Sequence, residues 1–257
     1  ILAQANIQVQ DSAPHQLMSD TEAPKPSLSH AIANLAHTWQ GPVLPEDLRE
    51  PCCKAHGVRV REDRPCLWLH NVLSPEECDA LHSASLECHD SGDDYADAPG
   101  CRSQFVSVDA ELASLLWARI GGYVPHSLDG GHAVGLNERV AHALYFTGQV
   151  GFPHMDFRHS RHSEPCIASR ISFTVYLNDD YTGGELGFIG ELRMDGTHGA
   201  EHVQFKPKKG SAVLFYQGVP EFAHLPHEIR CGRKSIMRAD VFYRFSDEEA
   251  ADVGCTR

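Results

Sequence analysis

The feature that most constrains the fold is a change of hydrophobic period near residue 139. Before that point the chain carries helical patterns. Ser74-Pro75-Glu76-Glu77 supplies an N-cap, a proline at the first helical position and a glutamate at the third, which predicts a helix over about 75–87. Over 110–120 the apolar residues Leu112, Leu115, Leu116 and Ile120 recur on one face, the spacing of an amphipathic helix. From Arg139 onward the runs become short and β-prone: 139–146, 169–177, 203–205, 212–216 and 235–245, separated by Gly, Pro and Asp clusters. Helices followed by strands of this kind predict an α+β chain, mainly β, whose core is a β-barrel or jelly roll. Within 171–177 the aliphatics and Phe173 share one parity while Ser172, Thr174 and Tyr176 share the other. One face of that strand therefore packs and the other can line a cavity.

Residues 1–57 read as an extension: Gln-rich at first, then rich in Pro, Ser and acid, with little to bury. A short helix is expected at 31–39, ended by Gly41-Pro42. Structure is expected to begin near Val58, where VRVRED and CLWLHNVL suit strands, and residues 248–257 form a tail. The 257 residues, 42% hydrophobic, are enough for one sizeable core, and the net charge of −13 argues against the broad basic face of a nucleic-acid binder. No apolar run of about 18 residues occurs, so no membrane-spanning helix is expected. The nine cysteines contain no C-x-x-C pair, which disfavours a zinc ribbon or a disulfide scaffold and points to reduced thiols, hence a cytoplasmic setting. The chain begins at Ile1, a start compatible with a removed targeting peptide.

Among the seventeen histidines, His154-Met155-Asp156 is the local feature with chemical content. Residues at i and i+2 of a strand face the same way, so an imidazole and a carboxylate can meet one ion there. A distant histidine, His224 or His227, would complete the set. Two histidines and one carboxylate on one face of an octahedron leave three positions open, as non-haem Fe(II) requires to bind a chelating cosubstrate together with dioxygen. Alone, H-x-D is weak in so histidine-rich a chain.

Context strengthens it. LHNVLSPEECDAL, the block Leu144–Gln149 leading into Gly151-Phe152-Pro153-His154-Met155-Asp156, FTVYLNDDYTGGELGF, KPKKGSAVLFY and HLPHEIRCGRKSIMRADVFYRF follow one another in this order. Together they resemble the Fe(II)/2-oxoglutarate-dependent dioxygenases, and within them the prolyl 4-hydroxylase-like branch, over most of 58–245. The resemblance implies a double-stranded β-helix (jelly-roll) core with the preceding helices on one face, and a catalytic domain over 58–247. It also implies Fe(II), 2-oxoglutarate and O2 as cofactors, with ascorbate as reductant. The family pattern places an aliphatic five residues, a glycine eight and a basic residue ten after the distal histidine. Counting from His224 gives Ile229, Gly232 and Lys234, so His224 is preferred; His227, with Arg238 eleven residues on, remains the alternative. Lys234 and Arg238 share a strand parity about 13 Å apart, and either can serve the far carboxylate of 2-oxoglutarate. Tyr145 and Tyr176 resemble family tyrosines that hydrogen-bond the cosubstrate. The presence of Asp156 argues against halogenation, and Leu186 stands where the family often has threonine.

The implied activity is hydroxylation of an unactivated C–H bond coupled to conversion of 2-oxoglutarate to succinate and CO2. The expected partner is a peptide, with peptidyl proline the default, or a small molecule such as a free amino acid. Arg158, His159 and Arg161, with His162, form a loop that can bind an anionic substrate or simply be solvated. From another class, a non-catalytic metal-binding jelly-roll sensor fits the histidines, but it has no need of an inward cation after the distal histidine. Oligomeric state is not readable from the sequence.

Overall fold

Ser74 caps its helix as the sequence prescribes: its Oγ accepts from the Glu77 amide (3.2 Å) and its own amide donates to Glu77 Oε2 (2.8 Å). The computed structural model describes residues 28–33, 35, 41, 64–89, 103–161, 163–190, 192–193, 196–201 and 203–246. In chain order these form α1 (Ser29–Ile32), β1 (Cys66–Leu69), α2 (Pro75–His89), β2 (Ser103–Val108) and α3 (Ala110–Ile120). They continue with β3 (Ser127–Leu128), β4 (Gly131–Leu136), β5 (Arg139–Phe146), β6 (Ser160–Arg161), β7 (Glu164–Tyr176), β8 (Thr182–Gly183) and β9 (Leu186–Phe188). The last strands are β10 (Val203–Phe205), β11 (Ala212–Tyr216), β12 (His224–Pro226), β13 (Ile229–Cys231) and β14 (Arg233–Arg244).

The larger sheet runs β1-β11-β7-β14-β4-β3, with β5 also on β14, β2 on β5 and β6 on β7. A smaller sheet, β10-β9-β12, faces it and is extended by an antiparallel bridge between His154 and His224, while β8 and β13 make a separate pair. This mainly-β arrangement is the double-stranded β-helix expected from the sequence. Both long helices lie before the closing strands. In α3 Leu112, Leu116 and Ile120 are buried, the helix packs on β4, and Asp109 caps it by accepting from the Leu112 amide (2.9 Å). In α2 the inward residues are Cys78, Leu81, Ser85 and Cys88, a helical spacing with a weakly apolar face. The two helices are locked together where Arg119 gives Glu77 two hydrogen bonds (2.8 and 2.7 Å) and the Val72 carbonyl a third (2.9 Å), all out of solvent. A buried pair is tolerated only when satisfied in this way.

Of the expected helix at 31–39, the turn Ser29–Ile32 covers the first two residues, Ala33 and Leu35 are in turns, and 34 and 36–39 lie outside the described residues, as do 58–63 and the tail 248–257. No helix among the described residues is long and apolar enough to cross a membrane.

Candidate active site

β7, β11 and β14 carry the inward face of the barrel. Their registers put Tyr176 opposite Ile236, Thr174 opposite Arg238 and Ser172 opposite Asp240, so the polar parity foreseen in 171–177 lines the interior. β14 presents Lys234, Ile236, Arg238 and Asp240 on that same face, with Lys234 nearly sealed and Arg238 and Asp240 half-buried.

At one end of this face the backbone bridge between His154 and His224 sets two imidazoles side by side, ring centroids 4.2 Å apart. One ligand atom from each of His154, Asp156 and His224 lies within 4.8 Å of the other two. Each histidine directs Nδ1 at a carbonyl two residues back, Phe152 O for His154 (2.8 Å) and Phe222 O for His224 (3.0 Å). A carbonyl only accepts, so both Nδ1 atoms carry the proton and each Nε2 presents a lone pair for ligation. Burial first, and the neighbouring His154 second, push His224 down to about 4, which keeps its imidazole neutral at neutral pH. Burial opposes ionisation of Asp156, but the Arg238 guanidinium, the two histidines and the Ser172 hydroxyl outweigh it and hold the carboxyl well below the usual range. Asp156 Oδ1, 3.7 Å from His154 Nε2, receives Arg238 at 2.7 Å; Oδ2 receives Ser172 Oγ at 2.5 Å. Two imidazoles and one carboxylate offered from one side suit a divalent first-row ion such as Fe(II).

Lys234 lies away from this cluster. Its side chain is nearly sealed, its Nζ donates to the Gly184 carbonyl (2.7 Å), and it sits 5.6 and 5.3 Å from the ring centroids of Tyr145 and Tyr176. Among the described residues no carboxylate forms an ion pair with it. Burial therefore pulls its pKa down to about 7, with Glu185 opposing only in part. A buried ammonium flanked by tyrosines and lacking an anion fits a carboxylate supplied from outside. The Gly183-Gly184 pair builds this corner: both have positive φ (80° and 68°), and a Cβ on Gly183 would fall 2.1 Å from the Glu228 carbonyl oxygen.

The remaining candidates are placed differently. His227 is outside the cluster, its Nε2 2.6 Å from Glu201 Oε2 and 3.3 Å from Gln204 Nε2. The loop cations already face carboxylates. Arg158 is 3.5 Å from Asp129 and also hydrogen-bonds the Tyr216 hydroxyl; Arg161 pairs with Glu138 (2.5 Å) and Glu164 (3.3 Å); His159 lies 3.6 Å from Asp240. His162 is outside the described residues. Sequence reasoning passed over Ser172, Gln217 and Asp240 as site residues. The parity of β7 contained the signal for Ser172. Gln217 and Asp240 are brought in by tertiary pairing alone.

Residues 140–239 match the model of the 2OG-Fe(II) oxygenase superfamily. No curated protein sequence matches the chain. The fold is similar to that of the viral collagen prolyl hydroxylase from Paramecium Bursaria Chlorella virus-1, in its 2OG complex (19% identity, TM-score 0.51, 69% of this chain and 95% of that one). A Pseudomonas putida prolyl-4-hydroxylase (18%, TM-score 0.46, 70% and 92%) also matches. So does a prolyl hydroxylase from Trichoplax adhaerens, solved with a hypoxia inducible factor oxygen degradation domain peptide fragment (15%, TM-score 0.49, 72% and 86%). The family match spans β5 to β14, the segment that contributes all three clustered ligands and Lys234. Through these residues the chain is similar to the 2OG-Fe(II) oxygenase superfamily over 140–239.

Proposed function

We propose that His154, Asp156 and His224 hold Fe(II), that Lys234 anchors the far carboxylate of 2-oxoglutarate, and that the enzyme hydroxylates an unactivated C–H bond of a peptide, with peptidyl proline the leading substrate. The family match over 140–239 supports the class, a 2-oxoglutarate-dependent dioxygenase using Fe(II), 2-oxoglutarate and O2. When bound, these supply the oxidising chemistry, in which 2-oxoglutarate becomes succinate and CO2 and one oxygen atom enters the substrate. Ascorbate is the reductant we expect to keep the metal ferrous.

The chain's own residues divide the work. His154 and His224 present Nε2 lone pairs fixed by their Nδ1 contacts, and Asp156 presents an ionised oxygen. The observation that carries the cosubstrate assignment is the buried Lys234 ammonium, with Tyr145 and Tyr176 walling the space around it. Arg238 is committed to the metal carboxylate (2.7 Å), which favours Lys234 as the principal partner of the far carboxylate and gives Arg238 the task of keeping Asp156 charged. A non-catalytic sensor barrel would have no use for so costly a buried cation. We assign 58–247 to the catalytic domain, with 1–57 an extension and 248–257 a tail.

Support for a peptide comes from the surface beside the metal motif. Val150, Phe152 and Phe157 are exposed large hydrophobics flanking His154 and Asp156; Phe152 and Phe157 are 72% and 68% exposed. An apolar lip of this kind suits a chain segment laid across the opening. The neighbouring viral enzyme is described as a collagen prolyl hydroxylase. Succinate release with Fe(II) and ascorbate, measured across proline peptides, free amino acids and small metabolites, tests the assignment. Stimulation by proline peptides supports it, and stimulation by free amino acids alone overturns the peptide reading.

A further inference from the structure

Asp156 can bind a metal through one oxygen or two, and the difference matters. Two-oxygen binding would occupy one of the three positions that a chelating cosubstrate and dioxygen need. The hydrogen bonds around the carboxylate bear on the choice. Ser172 Oγ donates to Asp156 Oδ2 (2.5 Å), and the same Oγ accepts from Gln217 Nε2 (2.9 Å). Gln217 Nε2 also donates to Asp240 Oδ1 (2.6 Å), and Asp240 Oδ2 lies 3.6 Å from His159 Nε2. The direction of the chain is fixed by chemistry. An ionised carboxylate only accepts, so Ser172 must spend its single proton on Asp156 and take its own hydrogen bond from the Gln217 amide.

Gln217 is held for this task. Its backbone amide donates to Arg170 O (2.8 Å), its carbonyl accepts from Arg158 Nε (3.2 Å), and the next amide, Gly218, donates to Asp156 O (3.0 Å). Its side-chain Oε1 is buried with no hydrogen-bond partner among the described residues, an arrangement that costs stability. Turning the amide over would aim that oxygen at the Asp240 carboxylate, which repels it. The orphaned oxygen is therefore the consequence of directing one nitrogen at both Ser172 and Asp240.

We propose that Ser172 and Gln217 are positioning residues that fix Asp156 as a one-oxygen metal ligand, Gln217 acting through Ser172, and that the same chain ties this orientation to the 157–161 segment through Asp240. Ser172 holds Oδ2 (2.5 Å), while Oδ1 lies 3.7 Å from His154 Nε2 and keeps a lone pair for the metal beside its bond from Arg238 (2.7 Å), so that three coordination positions stay open. The proposal rests on the assignment of His154, Asp156 and His224 as ligands.

The test uses Co(II), which is redox-stable and has visible bands sensitive to coordination. Full-length wild type, His154→Ala, Ser172→Ala, Gln217→Met and the Ser172→Ala/Gln217→Met double variant are titrated, with thermal melts of the metal-free proteins as a folding control. Orienting groups around metal ligands typically contribute 10- to 100-fold in affinity. Ser172→Ala should weaken Co(II) binding by about that factor and shift the visible spectrum. Gln217→Met, which keeps the volume, should weaken it about tenfold, and the double variant should match Ser172→Ala alone because the two act in series. If wild type binds no Co(II), or His154→Ala binds it equally well, the ligand assignment fails. If wild type binds and both single variants match it in affinity and spectrum, the positioning role fails while the ligand assignment stands. Losses that multiply in the double variant would overturn the series arrangement.

Discussion

Replacing Lys234 with methionine should weaken cosubstrate binding and strengthen the fold. The ammonium is buried beside Gly184 O, with its pKa pulled from 10.5 to about 7, and at 1.36 kcal/mol per pH unit that is a penalty on the order of 5 kcal/mol for carrying the charge inside. The methionine side chain would remove the penalty and keep the stem between Tyr145 and Tyr176, while leaving the Gly184 carbonyl without its donor at a cost of about 1–3 kcal/mol. The net expectation is a metal-free variant about 2–4 kcal/mol more stable at pH 6. The gain depends on pH in a specific direction. Below about 7 both folded and unfolded wild type carry the proton and the full penalty applies; between about 7 and 10.5 only the unfolded chain holds it, so wild-type stability rises with pH and the gap closes. Binding moves the other way, because removing one partner of a buried charge pair costs about 2–5 kcal/mol, so 2-oxoglutarate affinity should fall about 30-fold or more. Urea denaturation from pH 6 to 10 and calorimetric titration of 2-oxoglutarate with Mn(II) present measure both. Affinity within threefold of wild type, lower stability at pH 6, or a stability gap independent of pH would refute the assignment.

His227→Ala should leave Co(II) affinity unchanged while His224→Ala abolishes it, since His227 is turned to Glu201 and Gln204; equal losses would reinstate His227 as the ligand. Arg119→Met leaves Glu77 charged and buried and should destabilise by about 3–5 kcal/mol in urea denaturation, with Arg119→Met/Glu77→Gln recovering part of it. Gly183→Ala forces a Cβ to within 2.1 Å of Glu228 O at φ 80° and should cost about 1–3 kcal/mol, with a drop in 2-oxoglutarate affinity because the next carbonyl holds Lys234.

Local chemistry was legible in the sequence wherever it decides structure by itself. The 110–120 helix is found end to end, because Asp109 caps it and its leucines mark one face. The start of α2 was equally clear, yet its inward face of Cys78, Leu81, Ser85 and Cys88 gives too faint an apolar stripe to read. The strand expected at 169–177 is Glu164–Tyr176, its first residues recruited by pairing with β6 and β14 rather than by β propensity. The short strands Leu186–Phe188 and His224–Pro226 were missed because they exist through their partners, whereas the equally short 203–205 was expected and is found as Val203–Phe205. The site divides in the same way. The i, i+2 spacing of His154 and Asp156 announces a shared face, whereas the meeting of His154 with His224, seventy residues on, depends on the closure of the barrel. Arg238 was foreseen as an inward cation, but its ion pair with Asp156 depends on the position of the 154–156 segment.

The central claim is that one cluster of two histidines and an aspartate and one buried lysine together run 2-oxoglutarate chemistry. It is tested most directly by following 2-oxoglutarate consumption and succinate formation under air with added Fe(II) and ascorbate, comparing wild type, His154→Ala and Lys234→Met at subsaturating 2-oxoglutarate. The account predicts Fe(II)-dependent succinate formation by wild type, none by His154→Ala, and a Lys234→Met rate restored toward wild type only at much higher 2-oxoglutarate. Stoichiometric metal binding by wild type without any succinate, across substrates and without them, would contradict it.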